Sequence, residues 1–241
     1  MNNESNKFDT TMKYCHKCGA EYTHTFIDSR LKDSYYNLKS ENKEICCYCG
    51  GKLNENPFTI DDKFDKELVE KREIKYAKIR QHDKEEFAKL MKEKNIYAYI
   101  VPSSDYHQSE YVGEFFKGRE FISGFTGSAG TVVITQEKAI LWTDGRYFLQ
   151  AEEELSTSCV ELYKMGQENV PTTFEYIENE VPSGSKVGFD GRTISAAMGA
   201  ILELNLAKKN ITISYEDDLL NEIWEDRPAL SDVKAFLLDI K

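Results

Sequence analysis

Two short copies of one pattern, Cys15-His-Lys-Cys18-Gly19 and Cys46-Cys-Tyr-Cys49-Gly50, constrain this chain more than anything else in it. A Cys-x-x-Cys pair places two thiols on one tight turn, and a following glycine lets the backbone curl round the second sulfur. Two such knuckles supply the four ligands of a tetrahedral structural zinc site. Cys15, Cys18, Cys46 and Cys49 are therefore the expected ligands of one zinc, in a ribbon spanning residues 13–53. A module of about forty residues buries too little apolar surface to fold unaided, so the ion would supply the folding energy. The 27 residues between the knuckles, 19 to 45, exceed the usual spacing of about 15 to 20. The insert of residues 30–44 reads as a polar hairpin or short helix. A redox pair is the competing interpretation, but redox Cys-x-x-Cys motifs usually sit where a strand enters a helix. Cys47 is spare, since only Cys46 keeps the two-residue gap to Cys49. His16 and His24 are not needed once four cysteines fill the site.

The totals narrow the class. The chain has 241 residues, is 40% hydrophobic and 30% charged, and carries a net charge of -11. That allows one sizeable core with a small appendage, and makes a general nucleic-acid or membrane-surface role unlike this composition. The charge is uneven. Residues 13–53 hold seven Lys/Arg and five Asp/Glu, so +2, and the remainder holds 24 against 37, so -13. No apolar run approaches the roughly 20 residues of a membrane span, and the first residues lack the apolar centre of a secretory signal. A cytoplasmic, reducing setting is expected, in which the cysteines bind metal and do not form disulfides.

The organisation follows the texture of the chain. Residues 1–12 read as a disordered tail and 13–53 as the ribbon. Residues 54–76 read as a proline-containing linker passing into a charged helix, 77–232 as an α/β domain, and 233–241 as the truncated start of another. The helical stretch carries Phe64 and Leu68, then Phe87, Leu90 and Met91, at helical spacing. A break is expected near His82, with Asp83 as N-cap and Glu86 three residues on. Beyond residue 96, β-branched runs alternate with amphipathic ones. A strand ending at Pro102 comes first, then a short helix over residues 109–118 capped by Asp105 or Ser109. A hairpin over 130–145 follows, and then helices and strands in turn to Pro228. This predicts a mixed sheet flanked by helices. Cys159 reads as a buried strand residue.

Residues 123–131, SGFTGSAGT, raise a separate question. A phosphate-cradling loop needs converging backbone N–H groups, a lysine and a helix directly after it. Here the glycines stand three apart, no Lys-Ser or Lys-Thr follows, and the next residues are β-branched. The simpler reading is a glycine turn feeding a hairpin.

The blocks HQSEY, SGFTGSAGT and WTDGRYFLQA, with KVGFD and IWEDRPAL further on, closely resemble the first domain of long, three-domain aminopeptidase P enzymes (Xaa-Pro aminopeptidases), of the creatinase/prolidase pita-bread metallopeptidase superfamily. The resemblance runs from about residue 77 to the end; the ribbon is outside it. It implies a creatinase-type N-terminal fold, with a Gly-rich loop that enters a core hairpin and binds no nucleotide. It also implies that the two-metal site of two aspartates, a histidine and two glutamates belongs to a C-terminal domain, so no catalytic residue or catalytic metal ligand is carried over. The implied partners are a catalytic pita-bread domain, in the same polypeptide or another, with room for a homodimer. Membrane and nucleic acid are not expected as partners. The implied role is substrate gating and dimer contacts, and the rival is a stand-alone zinc-ribbon adaptor for protein or peptide.

Individual residues are then weighed. His107 reads as a structural group that caps a helix or satisfies a carbonyl, because one isolated histidine makes no site. Asp144 reads as the cap of a helix starting at Arg146, and Arg146 as a paired or snorkelling side chain, the alternative being one that faces a peptide carboxylate or a neighbouring subunit. Trp142, Tyr147 and Phe148 read as core aromatics. Glu152, Glu153 and Glu154 read as a solvated helix face, and Ser128 has no base beside it.

Overall fold

The computed structural model describes residues 13–22, 45–46, 49–59, 61–156, 158–225 and 227–230. The expectations for the 1–12 tail, for His24, for the 30–44 insert, for Cys47 and for the apolar 233–241 segment lie outside the described residues. The chain divides into two compact units between Ile79 and Arg80.

The first unit is built on a small antiparallel pair, β1 (Lys13–Cys15) and β2 (Ala20–Tyr22), in which Cys15 pairs with Ala20. Isolated bridges join Tyr14 to Asn54 and Ile45 to Lys52. Among the described residues its core is Cys15, Cys18, Ala20, Cys46 and Leu53, with Cys49 and Leu68 packed against it. The cysteines stand where a larger domain would place leucines and valines.

Helix α1 runs over Lys66–Glu93. It continues through His82 and Asp83, so the expected break is absent. Nothing between Lys66 and Glu93 is Gly or Pro, and most of its residues are strong helix formers.

The second unit centres on a six-stranded mixed sheet. Its strands are β3 (Ala98–Pro102), β4 (Thr131–Thr135), β5 (Ala139–Thr143), β6 (Val160–Lys164), β7 (Lys186–Phe189) and β8 (Thr212–Ser214), in the order β6-β5-β4-β3-β7-β8. Strand β4 is antiparallel to both its neighbours, while β5–β6, β3–β7 and β7–β8 are parallel pairs. Around the sheet lie α2 (Gly118–Ser123), α3 (Phe148–Leu155), α4 (Thr173–Glu180), α5 (Ala196–Ala207) and α6 (Leu220–Ile223).

The central strands are buried on both faces, which is why they read as unbroken apolar runs. Period-two alternation divides them. Tyr99 and Val101, Val132 and Ile134, and Ala139 and Leu141 face one core with Phe87, Met91, Phe121, Leu155 and Trp224. Ala98 and Ile100, Val133, and Ile140 and Trp142 face the other, with Ile177, Phe189, Leu202 and Leu206. Helix α4 begins at a full capping box. Thr172 accepts from the Glu175 N–H, and the Glu175 carboxylate accepts from the Thr172 N–H.

Several local expectations are corrected. No α-helix occupies residues 109–113; a single 3₁₀ turn, Glu114–Phe116, precedes α2, which starts at Gly118. The reason is local competition: the Asp105 carboxylate accepts from the N–H groups of His107 and Ser109, closing a turn of its own. Asp144 caps no helix either, because α3 starts at Phe148 and its carboxylate is engaged by Arg146. Cys159 sits one residue ahead of β6 and is partly buried, packed against the first core cluster. Tyr147 and Phe148 are half-buried, whereas Trp142 is fully buried and donates its indole N–H to the Pro171 carbonyl.

Candidate metal centre

The two knuckles fold alike. The Gly19 N–H donates to the Cys15 carbonyl at 2.9 Å, and the Gly50 N–H to the Cys46 carbonyl at 2.8 Å. Both glycines hold positive φ, 71° and 70°. That is the left-handed region where any side chain is strained, which is why a glycine follows each pair.

The turns bring four sulfurs together. Cys15 Sγ and Cys49 Sγ are 3.5 Å apart, as are Cys18 Sγ and Cys46 Sγ, and all four lie within 4.8 Å of one another. A tetrahedral ion with metal–sulfur bonds of about 2.3 Å sets sulfur–sulfur edges of about 3.8 Å, so the cluster matches the cage such an ion requires. Cys15, Cys18 and Cys46 are wholly buried and Cys49 partly so. Four thiolates within 4.8 Å of one another and largely out of water repel strongly unless a cation neutralises them. The Gly51 N–H lies 3.4 Å from Cys49 Sγ, and a Cβ on Gly51 would come within 3.2 Å of Cys49 Sγ and 3.3 Å of Cys15 Sγ. The donors are soft, and four of them would fill a tetrahedral ion, leaving it no open position for water or substrate.

His16 stands inside the first knuckle but points away from the sulfurs. Its Nδ1 meets Asp62 Oδ1 at 2.8 Å and its Nε2 meets the Asn56 carbonyl at 2.9 Å. Those acceptors, the carbonyl first, hold the imidazole above its ordinary pKa. It is a brace and not a ligand.

In the second unit the Gly-rich segment answers its own question. Arg119, on α2, is 6% exposed. Its Nε donates to Ser103 Oγ at 2.5 Å, its Nη1 to the Phe125 carbonyl at 2.7 Å, and its Nη2 to the Gly127 carbonyl, while the guanidinium lies 4.7 Å from the Phe125 ring centroid. The loop thus turns carbonyl oxygens inward onto a cation. A phosphate cradle turns N–H groups inward onto an anion. Gly124, at φ 80°, ends α2, and a Cβ on Gly127 would come within 2.3 Å of the Phe125 ring. Burial lowers the Arg119 guanidinium to about 10, still protonated at neutral pH.

Glu154 leaves the solvated role expected of it, since its carboxylate accepts from the Thr126 N–H and hydroxyl. Glu152 pairs with Lys164 at 2.6 Å, and Ser128 Oγ meets the Tyr147 hydroxyl at 2.6 Å. Arg146 is exposed in a bidentate pair with Asp144, which draws that carboxyl below its usual range, and 3.9 Å from Glu110. His107 is exposed, and among the described residues its ring makes no hydrogen bond, so neither structural role expected of it is seen. The Arg119 site was missed from sequence. Its signal is slight: one arginine at the second position of a six-residue helix, five residues before Gly124.

Residues 84–219 match the profile of the Creatinase/Prolidase N-terminal domain. The chain belongs to that family. The family domain is the mixed sheet with its helices; the cysteine module falls outside the match. Aminopeptidase P2 of Arabidopsis thaliana is 46% identical over 147 residues, which are 60% of this chain and 21% of the relative. A probable Xaa-Pro aminopeptidase P of Talaromyces marneffei is 48% identical over 142 residues, 58% of this chain and 22% of its own. Among solved structures, an X-prolyl aminopeptidase of Caenorhabditis elegans, described as a cytosolic enzyme with a di-nuclear active site, superposes with a TM-score of 0.54 at 36% identity. That superposition covers 56% of this chain and 22% of the other. The chain therefore spans between a fifth and a quarter of the relatives it matches. No helix among the described residues is long and apolar enough to cross a membrane.

Proposed function

We propose that this chain is the non-catalytic N-terminal part of an Xaa-Pro aminopeptidase, working in the cytoplasm beside a pita-bread catalytic domain. In this role the creatinase-type domain borders the cleft, gates peptide entry and supplies contacts between subunits. The observation that carries it is the 46% identity to an aminopeptidase P across the family domain. The site chemistry agrees. Peptide hydrolysis at two metals needs carboxylates and an imidazole converging on open coordination positions. Among the described residues, the group placed to hold an ion is the four cysteines.

To those cysteines we assign one zinc. Cys15, Cys18, Cys46 and Cys49 would hold it, and the ion would contribute folding energy to a module whose core, among the described residues, is mostly these cysteines. A second reading, a zinc-ribbon adaptor that binds protein or peptide, draws on one fact: the cysteine module lies outside the family match.

The test is turnover of an Xaa-Pro peptide by the purified chain with manganese, cobalt or zinc added. The expected result is none. Metal-dependent release of the N-terminal residue that survives repurification would overturn the non-catalytic assignment. The coding sequence after Lys241 separates the two readings: an open frame with an Asp, Asp, His, Glu, Glu series supports the first, and a stop codon the second.

A further inference from the structure

The first knuckle holds more than sulfur. Between its cysteines, His16 and Lys17 both reach the segment that leads into α1. His16 binds Asp62 and the Asn56 carbonyl, as above. The Lys17 carbonyl accepts from the Asp65 N–H at 2.7 Å. Just upstream, Tyr14 and Asn54 exchange two backbone hydrogen bonds, 2.7 and 2.8 Å. Phe58 then packs edge-on against Tyr14, His16 and Phe64, at centroid distances of 5.3, 5.2 and 4.9 Å.

Asp65 is where these ties meet the helix. Its side chain accepts from the Glu67 N–H at 3.0 Å and the Leu68 N–H at 3.3 Å, and its carbonyl accepts from the Val69 N–H at 2.9 Å. That is the geometry of an N-cap. One turn further, Leu68 packs against the cysteine core. The stretch read from sequence as a linker is thus pinned, by its backbone and by its rings, to the strand and turn that carry Cys15 and Cys18.

We propose that the metal site is a latch for the start of α1, an inference that rests on the metal assignment above. Ion binding fixes the 15–18 turn, the turn docks Asn54–Thr59 and Asp61–Asp65, and the docked Asp65 begins the helix at Lys66. Starting a helix is the costly step, because several residues are ordered before the first hydrogen bonds form. A cap held in place by tertiary contacts removes most of that cost. Without the ion the four thiols have no reason to stay converged, the turn loses its geometry, and both the docked segment and the first turns of α1 loosen.

Hydrogen exchange by mass spectrometry on the full chain tests this, in three states: zinc-loaded, stripped with a chelator, and reloaded with zinc. Amides of residues 54–72 should exchange about ten-fold or more faster when stripped, and recover on reloading, while residues 98–225 stay unchanged. A His16→Ala chain should still bind one zinc, yet show fast exchange over residues 54–62 with zinc present. Zinc binding with no change over residues 54–72 between loaded and stripped states would sink the latch and leave the metal assignment standing. Absence of any zinc binding would sink both.

Discussion

Replacing Arg119 by methionine tests the interpretation of the glycine loop most directly. The substitution keeps an unbranched apolar stem and removes the guanidinium with its donors and its contact with the Phe125 ring. Two carbonyls, of Phe125 and Gly127, lose the guanidinium, and both residues are buried, with no other hydrogen-bond donor reaching those oxygens among the described residues. Ser103 Oγ keeps a partner, since it also donates to the Gly130 carbonyl at 2.9 Å. Leaving a buried acceptor unpaired costs about 1–3 kcal/mol, so two cost about 2–6 kcal/mol. Relief from burying a charge offsets part of this, since burial already lowers the guanidinium to about 10. The expected net loss is about 3 kcal/mol, or roughly 6–12 °C in melting temperature for a unit of this size. Both tryptophans of the chain, Trp142 and Trp224, lie in the two cores of the second unit, and Trp224 stacks on Phe121 of the helix that carries Arg119. Urea unfolding followed by tryptophan fluorescence therefore reports on that unit. Arg119→Lys, which retains the charge with fewer directed donors, should fall between wild type and Arg119→Met. A loss below about 1 kcal/mol in the methionine variant would refute the claim that this cation holds the loop together.

Other outcomes follow from the same structure. Elemental analysis should find one zinc per chain, unchanged in Cys47→Ser and lost in Cys49→Ser; an unchanged metal content in the second variant would remove the four-sulfur assignment. Gly127→Ala, forced against the Phe125 and Tyr147 rings, should lower stability by about 1–3 kcal/mol in the same urea assay, and a neutral result would mean the loop repacks freely. Asp105 has its carboxyl held below the usual range, first by the Ser109 N–H. Its contribution is therefore present above the unfolded value near pH 4 and lost as pH falls through the folded value. Thermal unfolding of Asp105→Asn between pH 2 and 6 should show a shallower acid-side decline than the parent, and parallel curves would contradict that role.

How legible each part was depends on the range of the interactions that make it. Cys15, Cys18, Cys46 and Cys49 could be chosen from the chain because spacing alone defines a knuckle, and the structure converges those four. The strands were legible because β3, β4 and β5 are buried on both faces and so written almost wholly in apolar and β-branched residues. The helix at residues 109–118 was misread because the Asp105 side chain captures two backbone N–H groups, a choice that periodicity does not register. The extra helix break at Asp83 came from treating a capping box as sufficient, when no residue near it interrupts a helix. Arg119 was missed because two of its three partners are main-chain carbonyls, which have no letter in the sequence. Asn54–Asp65 looked like spacer because its polar composition is that of a linker, while its ties to Tyr14, His16 and Lys17 are long-range.

The single reversed strand, β4, carries a consequence for how the sheet assembles. Because β4 is antiparallel on both sides, β3, β4 and β5 pair with their immediate neighbours in the chain, and only β3 to β4 requires closure of a loop as long as residues 103–130. The β4–β5 hairpin closes over residues 136–138 and is the cheapest long-lived contact available. The outer strands arrive by crossovers: β6 after α3, and β7 only after α4, since its partner β3 lies more than eighty residues back. Ribosomal synthesis therefore presents the central meander well before β7 and β8 exist, with one edge of β3 open and with Ala98, Ile100, Val133 and Ile140 uncovered until α4 and α5 emerge. That interval adds a central strand edge to the β6 and β8 edges of the finished sheet as a place for pairing with a neighbour's strand.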